Sequence, residues 1–395
     1  MQTKINVKLP RSFSLVSRYI IKILDQSRLY NFFKLKKKKN NTSYDKLDLF
    51  SDVLKKINKK YVVKDVDQSK VIDAAINGML QSLDPYSSYI TPESFKIMNE
   101  DFKGEFGGTG LEIEMEKGFV KVISPIQDSP ADRVGIKPGD YIIKINDKRV
   151  NSILDDNVNL LRGKVGTSIK ITIRREGVYD DLSFTVVRDI IKVGGVKVTS
   201  AIKEEVGYIK IPVFNEQSYD ELLSKIKDLS KKDLKGYILD LRNNPGGLLL
   251  QAVKISDAFL DSGEIVSIRG RNKDDIKIYT AKKGDVLNGK PLAVLVNRGS
   301  ASASEIVSGA LKYHKRAILL GEKTFGKGSV QNIIPLKDKG ALKLTTAKYF
   351  LPCGTSISEI GVEPDISVKE NKTDFIINDD KKDNQLQYAL NLFRG

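Results

Sequence analysis

Apolar residues recur at helical spacing through residues 45 to 98: Leu47, Phe50, Val53, Leu54 and Ile57, then Val71, Ile72, Ala75, Met79 and Leu83. They predict helices whose stripes serve as core or a packing face. The second stripe runs into Ser82-Leu-Asp-Pro-Tyr86 and Thr91-Pro-Glu, a turn and a capped helix start. From Gly107 the period shortens to two, and strands at Leu111–Ile113, Phe119–Ile123 and Tyr141–Ile145 are expected. Between them a helix opens near Ser129 and stops at Gly135, and Lys137-Pro-Gly-Asp140 turns into the next strand. Beyond Arg188, strands and helices alternate. Val206–Ile211, Gly236–Leu241, Leu292–Val296 and Ile318–Leu320 read as buried strands, with helices at Tyr219–Leu229, through Val253 and Ala258, and after Ser300. The expectation is an α/β multidomain chain, divided into a leader at 1–44, a helical region at 45–100, a β-rich domain at 101–190, an α/β core at 191–370 and a tail or helix at 371–395.

Charge is unevenly placed. Met1 to Asn40 holds eleven Lys/Arg against the single acid Asp25, a net +10 that leaves +6 of the chain's +16 for everything else. With no basic stripe of interleaved aromatics in the body, specific nucleic-acid binding is not expected. Phe13 to Leu24 is interrupted by Arg18 and Lys22, so it is neither a signal-peptide core nor a transmembrane span. Two readings stand for it: a disordered lysine-rich leader, or a basic amphipathic helix on an anionic membrane surface, with Ile20, Ile21, Ile23 and Leu24 apolar and Lys34 to Lys39 flanking.

The chain has one histidine, His314, and one cysteine, Cys353. A Ser-His-Asp triad would need His314, which lies on the same helical run as the nearby serines. Zinc, disulfide and cysteine-protease chemistry lack residues, no cofactor is implied, and Cys353 is expected to pack as a small apolar residue.

The positive signal lies between Leu292 and Gln331. A buried strand feeds Asn297-Arg-Gly299, then Ser300-Ala-Ser302-Ala-Ser304-Glu305 opens a helix, a turn at which a hydroxyl and backbone amides converge beside a helix N-terminus. Further on, Phe325-Gly-Lys327-Gly328 sets an amine between two glycines. Serine with lysine is a known nucleophile and base pair. Ser300, Ser302 and Ser304 are equivalent on this reading, and Glu305 is read as a helix cap rather than a catalytic acid. Arg242, after a buried strand, is read as a structural ion pair.

Gly107-Gly-Thr-Gly110-Leu-Glu-Ile113 with the Ser129-Pro-Ala and Lys137-Pro-Gly-Asp140 turns resembles a PDZ domain. More widely, Leu83-Asp-Pro-Tyr, Asp240-Leu-Arg-Asn-Asn-Pro-Gly-Gly-Leu248, Gly299-Ser-Ala-Ser-Ala-Ser-Glu305, Thr324-Phe-Gly-Lys-Gly328 with Gln331, and Gly361-Val-Glu-Pro-Asp365 resemble the carboxyl-terminal processing peptidases. The resemblance runs from about residue 45 to 370. It implies a helical N-terminal region, a PDZ-like β-sandwich/α domain, and a crotonase/ClpP-like α/β serine-protease core. It also implies Ser302 as nucleophile, Lys327 as base, Gln331 orienting the lysine, and an oxyanion hole from Ala303 with Gly246 or Gly247. Gly108, Thr109, Gly110 and Leu111 would hold a peptide carboxylate, Leu111, Ile113 and the Asn157 to Leu161 helix would line a side-chain pocket, and Arg162 would couple that ligand to activity. Partners are then protein or peptide substrates with free C-termini, and family members usually work in the cell envelope. A catalytically inactive PDZ scaffold and a crotonase-type acyl-transfer enzyme are the rival readings.

Overall fold

The computed structural model describes residues 42–394, without 117, 127, 152, 203–204, 359 and 372–382. The Phe13 to Leu24 segment and its lysine flank lie outside the described residues. The described residues divide into two units, 42–72 and those from Asp73 onward. In the first, helix Thr42–Lys60 bears the expected stripe, yet Leu47, Phe50 and Val53 are exposed. Leu54 and Ile57 on the same stripe are half-buried, so among the described residues the stripe is an apolar face rather than a closed core.

In the second unit the expected mixed α/β architecture is the one observed. A β-rich body pairs strands in the order Leu111–Glu116, Phe119–Pro125, Tyr141–Ile145, Ser168–Arg174, Leu182–Val187. Their inward alternate positions, among them Val120, Val122, Ile142, Ile169, Ile171, Ile173 and Val186, make a dry core of their own. Ser129 caps the short helix Pro130–Arg133 by accepting from Asp132 N, and Gly135 at φ +85° ends it. Helix Leu154–Leu161 packs on strand Leu111–Glu116 and leaves a groove between them.

The α/β core is a six-stranded sheet ordered Lys197–Ile202, Val206–Lys210, Gly236–Asp240, Leu292–Val296, Ile318–Gly321, Ile366–Ser367. The first pair is antiparallel and the rest are parallel. Gly236–Asp240 and Leu292–Val296 are buried along their whole length, as unbroken apolar runs in a parallel sheet should be. Helices Ser218–Leu229, Leu249–Phe259 and Ala303–Tyr313 cover one face. Helix Asn384–Asn391 covers the other, through Leu386, Ala389 and Leu390. A second sheet places strand Ala341–Phe350 between Ser88–Ile90 and Ser329–Pro335. The loops after Asp240, Val296 and Gly321 therefore leave the sheet at its carboxyl edge, where α/β folds put their ligands.

Candidate active site

Asparagine side chains set the serine turn. Asn297 Oδ1 accepts from Asn243 N at 2.9 Å and Gly299 N at 3.0 Å, while its Nδ2 donates to Asn243 Oδ1 at 2.9 Å, so the loops after two neighbouring strands are tied together. The three serines then separate by their partners. Ser300 Oγ donates to Leu241 O at 2.8 Å and Ser304 Oγ to Asn244 O at 2.9 Å, both fully buried. Ser302 Oγ donates to no backbone carbonyl and instead faces the Glu305 amide in the capping box of its helix. It lies against the buried Tyr349 hydroxyl, which burial pushes up to about 12 and the Ser302 contact partly relieves. Ser302 also has φ +54°, a conformation that costs a serine roughly 1–3 kcal/mol and that the surrounding bonds must hold in place.

Glu305 does much of that holding. Its carboxylate, with no exposure, accepts from Ser302 N at 2.7 Å, Lys327 N at 2.9 Å, Gly326 N at 2.7 Å and Thr324 Oγ1 at 2.6 Å. The cap read from the sequence is present, and it extends to the lysine loop. The serine and lysine loops thus share one acceptor, Glu305 Oε2, and their amides lie side by side. Behind them, Thr324 N donates to Val362 O and Val362 N to Thr324 Oγ1, so the Gly361-Val-Glu-Pro-Asp365 segment closes the back of the loop.

Burial holds the Lys327 amine below the usual lysine range, with repulsion from Lys343 adding to the effect and attraction to Glu305 opposing it. Its Nζ sits 5.5 Å from the Tyr86 ring centroid and makes no hydrogen bond or ion pair among the described residues. Ser302 and Lys327 are thus in neighbouring loops but not joined through their side chains. Gln331 donates through Nε2 to Ser329 Oγ at 2.7 Å and Thr345 Oγ1 at 3.2 Å, and no bond joins it to Lys327.

The two glycines differ. Gly246 N donates to Asn244 Oδ1 at 2.8 Å, while Gly247 N has no partner among the described residues. A Cβ on Gly246 would stand 2.9 Å from Ser302 Cβ and 3.0 Å from Ala303 N, and one on Gly247 would stand 2.2 Å from Phe214 O. Only glycine lets this loop pass so close to the serine. Ala303 N, the first amide of its helix, is among the groups no helical carbonyl can reach.

In the β-rich body, the carbonyls of Thr109 and Gly110 accept from Ala131 N and Ile126 N, while their amides have no partner among the described residues. Phe106, Thr109, Gly110, Leu111, Ile113, Val158, Leu161 and Arg162 line a cavity of about 110 Å³ there. Thr109, Gly110, Leu111 and Ile113 are brought together in its wall, while Gly108 precedes them as the last residue of strand Glu105–Gly108, paired with Asp189. Arg162 lies 4.2 Å over the Phe106 ring and bonds Asp101 at 2.9 Å, with its Nε buried and unpartnered.

Arg242 is a buried ion pair, bonding Asp240 at 2.6 Å and Asp383 at 2.7 Å. His314 faces the Glu264 carbonyl at 2.7 Å, from the far end of the serine helix. Cys353, expected to be packed, is exposed because it sits in the turn after strand Ala341–Phe350. No cluster of residues suited to a metal occurs among the described residues, and no described helix is long and apolar enough to cross a membrane. Sequence reasoning missed Asp84, Tyr86, Lys343, Thr345 and Tyr349. Only the Asp84-Pro-Tyr turn carried a visible signal.

Comparison with known proteins agrees with this layout. Residues 205–368 match the model of peptidase family S41, residues 107–186 a PDZ domain, and residues 13–94 the N-terminal domain of the activating protease CtpB. A carboxy-terminal-processing protease of Bartonella bacilliformis is 50% identical over 333 residues, 83% of this chain and 76% of that protein. The carboxy-terminal processing protease CtpA of Bacillus subtilis is 40% identical over 339 residues, covering 85% and 72%. A putative S41 protease structure from Bacteroides fragilis shares the fold at TM-score 0.52 and 18% identity, over 77% of this chain and 90% of that one. The chain belongs to the carboxy-terminal-processing proteases, serine-type peptidases that join a PDZ domain to an S41 core.

Proposed function

We propose that the chain is a serine endopeptidase that captures the free C-terminus of a protein substrate in its PDZ groove and cleaves nearby with a Ser302–Lys327 dyad. The observation that carries this reading is the sorting of the serines: Ser300 and Ser304 spend their hydroxyls on buried carbonyls, and Ser302 does not. Lys327, desolvated and without a counter-ion at hydrogen-bond distance, is suited to accept the Ser302 proton once its amine swings off the Tyr86 ring. Gln331, being uncharged, can accept a bond from that amine without restoring its charge. Ser302 Oγ then bonds the scissile carbonyl carbon, and the oxyanion falls to the amides of Ala303 and Gly247, since Gly246 N is already committed. Protonated Lys327 gives its proton to the leaving amine as the C–N bond breaks, and a water deprotonated by the neutral lysine then hydrolyses the Ser302 ester and regenerates the hydroxyl.

The unpartnered Thr109 and Gly110 amides favour a carboxylate, and the Leu111 and Ile113 walls an apolar last residue. Arg162 is the proposed coupling residue. Its partner Asp101 lies on helix Pro92–Lys103, whose end accepts from Glu216 N through Phe102 O, two residues from the Phe214 backbone that brackets Gly246 and Leu248. The domain limits proposed are 101–190 and 191–370, and the proposed setting is the cell envelope, with the basic N-terminal segment on an anionic surface. The scaffold alternative is disfavoured by the strained Ser302 and the free amides beside it.

The test is cleavage of a tail peptide, read by mass spectrometry, with free and amidated C-termini. Ser302→Ala and Lys327→Ala should each abolish cleavage, and amidation should cut kcat/KM at least about tenfold, the loss of one charge-assisted set of bonds. A Ser302→Ala variant that still cleaves, or equal turnover of both peptides, would overturn the corresponding half of the reading.

A further inference from the structure

The geometry points to Asp84 and Thr345 as positioning residues that fix which end of the Gln331 amide faces the base. This rests on the reading of Lys327 as base and goes beyond it. Asp84 Oδ1 accepts from Tyr86 N and Ser87 N, both at 2.8 Å, and Oδ2 from Ser87 Oγ at 2.7 Å. Across to the next strand, Thr345 Oγ1 donates to Asp84 Oδ1 at 3.1 Å, and Thr345 N donates to Ser87 Oγ at 3.1 Å. Gln331 stands opposite Thr345 in the antiparallel pair Ser329–Pro335 with Ala341–Phe350, and its Nε2 donates to Thr345 Oγ1 at 3.2 Å.

The direction of this chain follows from what each group has to offer. An ionised carboxylate only accepts, and its hydrogen bonds hold Asp84 below the usual carboxylate range despite partial burial. A hydroxyl has one proton. Thr345 gives it to Asp84, so towards Gln331 it can only accept. Gln331 must therefore present Nε2 to Thr345, which leaves Oε1 as the end available to an amine. With Oε1 towards Lys327, the amine donates to the amide and keeps its lone pair for the Ser302 proton. With the amide reversed, Nε2 would donate into that lone pair and occupy the base.

The same turn supplies the Tyr86 ring under the amine, 5.5 Å from Nζ. The charged groups acting on Lys327 are Lys343, on the strand that carries Thr345, and Glu305, on the serine helix. Neither can substitute for a directed acceptor. The Leu83-Asp-Pro-Tyr segment, remote in sequence from the serine and lysine loops, thereby becomes part of the catalytic arrangement.

The experiment compares pH profiles of tail-peptide cleavage by the full chain and its variants. Thr345→Val keeps the Asp84 charge and the Asp84 turn but can neither donate nor accept. It should lower kcat roughly ten- to a hundredfold, part of the ~10²–10⁴ a positioned base contributes, with KM little changed. Its residual activity should have an acid limb at lower pH, because the amide is then held only by Ser329, whose hydroxyl can donate as well as accept, and a reversed amide disfavours the ammonium form. Thr345→Ser restores the hydroxyl and should restore both rate and limb. Asp84→Asn can donate to Thr345 and reverse the chain, so it should resemble Thr345→Val, and the double variant should be no worse than either single one. A Thr345→Val enzyme with wild-type rate and limb overturns the inference, as does a rate loss that follows thermal unfolding with an unmoved limb. A Lys327→Ala enzyme that still cleaves would instead overturn the dyad.

Discussion

Glu305 in the core and Arg162 at the PDZ groove each join two segments distant in sequence, and they do so in opposite ways. Glu305 is wholly buried and takes four donors from the serine and lysine loops within 2.9 Å. Arg162 makes one bond to an Asp101 whose side chain is 51% exposed, stacks on Phe106, and leaves Nε unused. A buried carboxylate with charge-assisted bonds holds one geometry, because each donor it released would be orphaned. A half-exposed ion pair of this kind contributes at most about 1 kcal/mol and is easily exchanged for another partner. The serine and lysine loops are thus held in place and the groove contact is adjustable, which is what the proposed coupling through Arg162 requires.

The largest effect that would break this comparison is expected at Glu305. In Glu305→Gln the amide nitrogen must face one of the two donor pairs, leaving two buried donors without an acceptor at about 1–3 kcal/mol each. Thermal unfolding should fall by several degrees, and kcat/KM by at least about 100-fold, since the Ser302 and Lys327 backbones lose their shared anchor. A Glu305→Gln enzyme near wild type in both would make the carboxylate a replaceable cap.

How far such roles could be read from the chain depends on distance along it. The parallel strands were legible because full burial leaves unbroken apolar runs, and the glycine pair because close backbone approach leaves no alternative. Ser302 could not be told from Ser300 or Ser304 without the family resemblance. What separates them are carbonyls 59 and 60 residues away, at Leu241 and Asn244, which no local pattern displays. Glu305 was read correctly as a cap, but its reach to Thr324 and Gly326, 19 and 21 residues on, was invisible for the same reason. Cys353 failed differently. Composition favours burial of a lone cysteine, and the turn at Pro352 to Gly354 outweighed it.

A smaller effect should sharpen the electrostatic side. Lys343 disfavours the Lys327 ammonium, so Lys343→Gln removes a like charge and lets the Lys327 pKa rise towards its ordinary value. The base is then protonated up to higher pH. The acid limb of kcat/KM should shift upward, activity near neutrality should fall a few-fold, and the plateau at alkaline pH should be nearly unchanged. A downward shift would mean that the limb belongs to another group.

The smallest effect is expected where the contact is weakest. Arg162→Ala removes one half-exposed ion pair and one ring contact, so thermal stability should change by no more than about 1 kcal/mol. Tail binding to the groove, measured on a Ser302→Ala background to prevent turnover, should weaken only slightly, because the amides of Thr109 and Gly110 and the Leu111 and Ile113 walls remain. Turnover of a free-acid tail peptide should nevertheless fall several-fold, while an amidated peptide, which does not engage the groove, should be cleaved as slowly as by wild type. That pattern, a lowered kcat with a nearly intact tail affinity, is what a coupling residue produces when the ligand favours the active arrangement. Equal losses of tail affinity and turnover would reduce Arg162 to a wall of the pocket, and the contrast with Glu305 would then be one of burial alone.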